Sequence, residues 1–208
     1  MIDYSRILFD ENVRQNYDVE TIAGSDEAGR GAMAGPIVVA TVILPKDYKN
    51  PLIRDSKKLA ENLRESLYEE ITKVAIEWRI AIYDAKAVDK LNPKYASILG
   101  MINSIQQLAV KPDICLIDGE KISIASYQTI QLIKGDDLSQ TIAAASIIAK
   151  VTRDRIMRKY AKIYLQYNFD KHKGYCTKKH CEELSKYGIT EIHRKSYKPV
   201  KNIMLTNK

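Results

Sequence analysis

Four carboxylates in this sequence stand where the chain is built to turn: Asp26 and Glu27 in SDEAGRG, Asp118 before Gly119, and Asp136 after Gly135. Each follows an apolar, strand-like run, and the neighbouring glycines let backbone bend sharply and let a ligand approach closely. The pattern predicts that the four acids converge at strand ends. Adjacent residues on a regular strand face opposite sides, so Asp26 and Glu27 share one cluster only near a strand end or bulge, or else serve different ions. A carboxylate-rich site without Cys or His suits hard, oxygen-preferring cations such as Mg²⁺ or Mn²⁺ and disfavours zinc. Two such ions, roughly 3.5–4 Å apart, activate a water and stabilise the leaving oxygen in phosphodiester hydrolysis. The competing reading is structural, because DG and GD are ordinary turn dipeptides and any one of these acids alone is more simply a turn residue.

The loop Gly29-Arg30-Gly31 directly follows the first acidic pair. Its two glycines bare backbone N–H groups and let the chain lie against a phosphate or sugar, while Arg30 adds a forked donor. A bare GRG is more often a tight turn with an exposed arginine; its position after Asp26-Glu27 gives it weight. Asp154 has Lys150 and Arg158 four residues to either side, the spacing of a surface ion pair, and is left outside the catalytic set. Lys150 and Arg153 could meet phosphates or simply form a solvated face. His172, Cys176 and His180, with Cys181, have a spacing that would align ligands on a helix, but Gly174 interrupts it and paired CxxC or HxxxH motifs are absent. No zinc site is therefore expected; His172 and Lys173 are expected to approach a substrate backbone, and His193 with Arg194 to be structural.

Positioning the acids falls to a chain of mixed elements. After a polar N-terminal segment, residues 21–25 lead into the acidic motif, and PIVVATVIL (36–44) is a β-branched run ended by Pro45, so two buried strands join around the glycine loop. Leu67, Ile71, Val74 and Trp78 fall on one helical face from Leu63 onward. A strand is expected over 79–85, a helix over 95–108, and strands over 113–120 and 129–137, the last two each ending in an aspartate. Ser139 is a fair cap for a long helix striped by Ile142, Ala145, Ala149, Thr152, Ile156, Tyr160 and Ile163. The order predicts an α/β fold, a central mixed sheet flanked by helices.

The 208 residues suit one domain and a sizeable core, and no repeat or linker divides them. A net charge of +7 favours a polyanionic partner but is weak by itself. No run of about 18 apolar residues exists to span a bilayer, and the acidic N-terminus does not resemble a signal peptide. A cytosolic, monomeric protein with reduced thiols at Cys115, Cys176 and Cys181 is expected.

In chain order, GSDEAGRG with AGP (24–36), DSKKL (55–59), LIDG (116–119), IKGDD (133–137), IAAASIIAKVTRDRIM (142–157), HKGYCT (172–177) and HRKSY (193–197) resemble the ribonuclease HII family of type 2 ribonucleases H. The resemblance implies a ribonuclease H-like fold over residues 1–197, with a short C-terminal tail over 198–208. It implies metal-dependent cleavage of RNA in RNA–DNA hybrids, and cleavage 5′ to single ribonucleotides embedded in duplex DNA, leaving 5′-phosphate and 3′-hydroxyl ends. The family's metal-binding acids match Asp26, Glu27, Asp118 and Asp136. Its readers of the 2′-hydroxyl and of the following deoxyribose match Gly29, Arg30, Gly31 and Tyr175, and Lys57 would contact a phosphate. That division is physically sensible, because the 2′-hydroxyl is what separates RNA from DNA. The chain departs from the family's usual residues at Ala32 (proline), Leu165 and Asn168 (proline and glycine) and Tyr197 (phenylalanine). Two other readings stay open: a non-catalytic nucleic-acid binder, and a different two-metal nuclease acting on DNA.

Overall fold

The computed structural model describes residues 2–206. Its centre is a five-stranded mixed sheet of order β3-β2-β1-β4-β5, formed by β1 (Ile22–Ala28), β2 (Ile37–Ile43), β3 (Glu77–Tyr83), β4 (Ile114–Asp118) and β5 (Gln128–Leu132). The first three strands form an antiparallel meander, and β4 and β5 join parallel to β1. The near-continuous apolar run of β2 follows from burial on both faces. Val38, Ala40 and Val42 point toward the helices α2 (Glu61–Val74) and α6 (Gln140–Ile163). Ile37, Val39 and Ile43 point the other way, toward α3 (Ala85–Leu91) and α4 (Pro93–Gln106). The period of two along a strand thus divides one β-branched segment between two cores.

Local chemistry sets the helix boundaries. Asn92 accepts a hydrogen bond from the Tyr95 N–H at 2.9 Å, and Pro93 opens α4 where a missing N–H costs nothing. Ser139 caps α6 by accepting from the Ile142 N–H at 3.2 Å. The start of α6 is also tied to the N-terminal helix α1 (Ser5–Tyr17), because buried Asp10 accepts from the N–H and hydroxyl of Thr141. Burial pushes the Asp10 carboxyl up from its ordinary range, against the pull of those donors.

The contact between β1 and α6 is backbone on backbone. A Cβ built on Gly24 would lie 2.5 Å from the Ile142 nitrogen and 2.6 Å from the Thr141 carbonyl oxygen. Only glycine permits this approach, and Asp26 and Glu27 leave the same strand two and three residues later.

The remaining chain forms a helical layer: two short turns, α5 (Gly135–Leu138) and α7 (Phe169–His172), then α8 (Lys178–Tyr187) and α9 (Lys198–Thr206). Several expectations differ from what forms. The polar N-terminal segment is largely helix α1, whose weak amphipathic pattern hid it. Trp78 belongs to β3 rather than to the preceding helix, which ends at Val74. Residues 198–206, expected as a tail, form α9, whose Val200 is buried against Met33 and Leu184; residues 207–208 lie outside the described residues. The stripe on α6 is wider than expected, with Gln140 to Ala149 buried on all sides between sheet and helices, while Ile163 is exposed.

Gly24→Ala should destabilise the protein by about 2–3 kcal/mol, since the clash is with backbone that cannot rotate away. Urea denaturation monitored by Trp78 fluorescence would measure it, and a loss below about 0.5 kcal/mol would contradict this account of the β1–α6 contact.

Candidate active site

Asp26 and Glu27 lie near the end of strand β1, which closes at Ala28, and Asp118 closes β4, its parallel neighbour. One ligand oxygen from each of the three lies within 4.8 Å of the others. Asp26 and Glu27 are consecutive and still paired with β2, but the pairing of β1 with β4 stops at Ser25, and Gly29 turns the chain just beyond with φ +94°. Asp26 accepts from the Glu27 N–H at 2.6 Å, and Asp118 accepts from the Gly135 N–H at 2.6 Å. Asp136 is not at a strand end as expected. Strand β5 stops at Leu132, and Asp136 sits in the first turn of α5 after Lys134 adopts a left-handed conformation. It stands outside the group of three, and its carboxylate faces the Lys57 ammonium at 3.8 Å.

This arrangement is electrostatically unfavourable for the bare chain. Burial, followed by repulsion from Glu27, Asp118 and Asp136, holds the Asp26 carboxyl well above its ordinary range. Burial also raises Glu27 and Asp118, opposed by Arg30 for Glu27 and by the Gly135 N–H for Asp118. Burial with repulsion from Asp55 and Asp118 pushes Asp136 up to about 6. Lys57 responds in the complementary sense: burial works against its charge, but Asp136 and Asp26 hold its ammonium above the usual lysine value. A buried, self-repelling set of oxygen donors without nitrogen or sulfur fits hard divalent cations, which would remove the repulsion.

Asp26 and Glu27 open into a cleft of about 530 Å³ whose walls include Arg30, Lys57, Lys150 and Tyr175. Lys57 is presented by a single 3-10 turn (Ser56–Lys58), in which Asp55 accepts from the Lys57 N–H and Ser56 bonds the Ser146 hydroxyl of α6 at 2.7 Å. Gly29 is required sterically, because a Cβ there would lie 2.0 Å from the Arg153 Nε; Gly31 is exposed, and a Cβ there would meet nothing within 4 Å. The Arg30 guanidinium is held 2.6 Å from Glu120 and 3.6 Å from Glu27, and Lys94 shares Glu120 at 3.2 Å. Glu120 was not anticipated from sequence, where it fell at the end of a strand expected over 113–120; the strand stops at Asp118 and Glu120 lies in the chain beyond it.

Two fully buried arginines hold this loop from behind. Arg153 donates to the carbonyls of Ala34 and Pro36, and Arg194 donates to those of Arg30 and Gly35. Tyr197 links Arg194 to the loop, accepting from Arg194 at 2.8 Å and donating to the Arg30 carbonyl at 2.5 Å. A phenylalanine there could make neither bond. Arg153 also lies over the Tyr175 ring, 5.0 Å from its centre, and the backbone of Tyr175 pairs with Ala32. Arg153 is therefore neither a phosphate contact nor a solvated residue, and burial lowers its pKa to about 10. Asp154 pairs with Lys150 at 2.7 Å as its spacing suggested, but Asp154 is buried and Lys150 half-buried at the cleft, and Arg158 turns instead to Glu61 and Glu65.

His172 and Lys173 do not face the cleft. Both are buried; the Lys173 ammonium donates to the Asp170 carbonyl, and His172 pairs with Glu183 at 3.0 Å. All three histidines of the chain gather behind Tyr175. The Thr190 N–H donates to His193 Nδ1, and the Nε2 atoms of His193 and His180 lie 3.0 Å apart. His180 Nδ1 lies 3.0 Å from the Tyr175 carbonyl. This chain of bonds closes only with both rings neutral: His193 donates to His180, which donates to Tyr175. A proton on either ring would set two donors against each other. The glycine break at Gly174 separates α7 from α8, so these side chains do not form the helical zinc face weighed from the sequence.

The sequence profile described as Ribonuclease HII matches residues 23–200. A protein named Ribonuclease HII from Mycoplasma mycoides subsp. mycoides SC is 53% identical over 200 residues, covering 96% of this chain and 97% of its own. Another of the same name from Mycoplasma capricolum subsp. capricolum is 51% identical over the same shares. Among solved structures, the ribonuclease H2 of Pyrococcus horikoshii OT3 superposes with a TM-score of 0.76 at 23% identity, over 89% of this chain and 98% of that one. Bst-RNase HIII, solved in complex with Mn²⁺, superposes with a TM-score of 0.66 at 16% identity, over 90% of this chain and 70% of its own. The fold is thus the ribonuclease H-like fold expected from the sequence.

Two outcomes test this geometry. Tyr197→Phe should cost about 1–2 kcal/mol in urea denaturation, because the Arg30 carbonyl and Arg194 each lose a partner. The buried histidines should make the fold acid-sensitive. Burial holds His180 at about 4 and His193 at about 3, against about 6.5 when unfolded. The unfolded chain therefore binds more protons below pH 6.5, and the stability contributed by the neutral pair is complete above that pH and falls as pH drops toward 4. The acidic cluster, with raised carboxyl pKa values, titrates in the opposite sense. The histidine contribution is therefore the difference between native chain and His193→Gln, whose stability should fall less steeply between pH 6.5 and 4. Parallel curves would contradict the neutral relay.

Proposed function

The chain belongs to the ribonuclease HII family of metal-dependent endoribonucleases, and from that premise we propose that it cuts 5′ to ribonucleotides embedded in duplex DNA, as well as RNA in RNA–DNA hybrids, by two-metal-ion hydrolysis. The observation that carries this reading is the adjacency of two devices: three carboxylates with oxygens within 4.8 Å, and, directly after them, a glycine loop whose Gly31 is open to an approaching sugar.

Asp26, Glu27, Asp118 and Asp136 are the proposed ligands, with Asp118 oriented by the Gly135 N–H and Asp136 supplied by α5. Two bound Mg²⁺ or Mn²⁺ ions would supply an activated water and neutralise the leaving 3′ oxygen. Gly29, Arg30 and Gly31 are the proposed readers of the 2′-hydroxyl, since backbone groups on a glycine loop can approach a sugar where side chains would block it. Glu120, itself paired with Lys94, anchors the Arg30 side chain beside Glu27, while Arg194 and Tyr197 hold the Arg30 carbonyl. The Tyr175 ring, backed by Arg153 and Lys150, is the proposed platform for the next deoxyribose. Lys57, exposed at the cleft, is the proposed phosphate contact. The free thiols, one of them exposed, suit a reducing compartment, and we place the enzyme in the cytosol, acting as a monomer. Among the described residues, no helix is long and apolar enough to cross a membrane.

The direct test incubates a DNA duplex carrying one ribonucleotide, and an all-DNA control, with Mg²⁺, Mn²⁺ or EDTA. Cleavage only of the first duplex, only with metal, and leaving a 5′-phosphate on the ribonucleotide side is expected. Equal cutting of both duplexes would point to a DNA nuclease, and cutting of neither to a binding protein. Asp118→Asn should lower cleavage on the order of 10⁴-fold while leaving duplex affinity largely unchanged, because it removes charge and not shape. Full activity in that variant would remove Asp118 from the proposed ligand set.

A further inference from the structure

Directly after Tyr175, the chain places two thiols side by side. Cys176 Sγ and Cys181 Sγ are 3.6 Å apart, Cys176 is exposed and Cys181 is half-buried, whereas the third cysteine, Cys115, is fully buried in strand β4. Thr177 caps α8 by accepting from the His180 N–H, so Cys176 precedes the cap and Cys181 is the fourth residue of the helix. Those two positions meet in many helices as an apolar clasp that fixes how the chain enters the helix. Here the clasp is made of two residues that can be joined covalently. A bond of about 2.05 Å requires the sulfurs to close by roughly 1.5 Å, within reach of side-chain rotation at an exposed helix start.

We propose that Cys176 and Cys181 form a dithiol–disulfide modification site that locks the entry to α8 and with it the placement of Tyr175. The Tyr175 carbonyl accepts from the Thr177 N–H at 2.8 Å and bonds His180 of α8 at 3.0 Å, so the closed clasp and the tyrosine share one turn. The oxidant is hydrogen peroxide. The more accessible Cys176 thiol gives up its proton and its sulfur attacks a peroxide oxygen, breaking the O–O bond; the departing hydroxide takes that proton, giving a sulfenic acid and water. Cys181 then attacks that sulfur, its proton leaving with the hydroxyl as a second water. Two thiols are oxidised to one disulfide while one peroxide is reduced to two waters. A dithiol reductant reverses the step by thiol–disulfide exchange.

The consequence for catalysis rests on the proposed role of Tyr175; formation of the bond does not. The full chain is treated with hydrogen peroxide, and peptides are mapped without reduction by mass spectrometry. The expected product is an intramolecular Cys176–Cys181 link, with Cys115 reduced, that dithiothreitol removes and that neither Cys176→Ser nor Cys181→Ser can form. Over-oxidation of Cys176 alone, or links only between molecules, overturns the site. Kinetics on the ribonucleotide-containing duplex follow, and the linked form should show at least a threefold change in KM that dithiothreitol reverses and Cys176→Ser lacks. A link that forms while KM stays constant overturns the coupling to Tyr175. Absence of any cleavage by the reduced enzyme would count against the proposed function, and the peptide map would still decide the site.

Discussion

Two guanidinium groups buried without a carboxylate partner are the constraint around which the substrate side of this protein is arranged. Arg153 and Arg194 are wholly shielded from solvent, and each leaves one terminal nitrogen without a hydrogen-bond partner. Burying such charge is costly unless its donors are satisfied. The carbonyls of Arg30, Ala34, Gly35 and Pro36 do most of that work. The dependence is mutual: a segment rich in glycine and alanine has few side chains with which to hold itself, and the arginines can remain buried only because it supplies carbonyl oxygens. Removing either side leaves the other unsatisfied.

The acidic site has a separate origin, in the sheet. Parallel pairing sets Ser25 of β1 opposite Ile117 of β4, so both strands release their acids at the same edge. The bare contact of Gly24 with the start of α6 draws that edge under the long helix. One strand, β1 with its exit turn, therefore feeds both devices: its last residues enter the acidic group, and the turn that follows enters the grip of the arginines.

Much of this was legible in the sequence, and the limits have physical causes. The acids at Asp26, Glu27 and Asp118 could be found because strands ending beside glycine leave a local pattern. Asp136 was grouped with them and its element misjudged, since an apolar run continuing to Ile133 gives no sign that the strand stops at Leu132 and a helical turn begins. Helix α1 was missed because its face toward the core includes Arg6, Asp10 and Arg14, polar residues whose burial depends on distant partners. Similarly, no local signal distinguishes the buried Arg153 from the neighbouring Arg155 at the surface. Burial of a charged residue is decided by what packs against it, and those segments lie more than 100 residues away in sequence. The family resemblance filled part of this gap, because motif order carries information about tertiary neighbours that periodicity does not.

The two devices also differ in when they can exist. The proposed metal ligands all lie between residues 26 and 136, but the loop that follows them is gripped by Arg153, Arg194 and Tyr197 and paired with Tyr175. A chain made from its N-terminus on the ribosome emerges with its acids first and the clamps on its glycine loop later. During synthesis, the proposed metal ligands therefore emerge ahead of Arg153, Arg194 and Tyr197, the residues that hold the glycine loop in place.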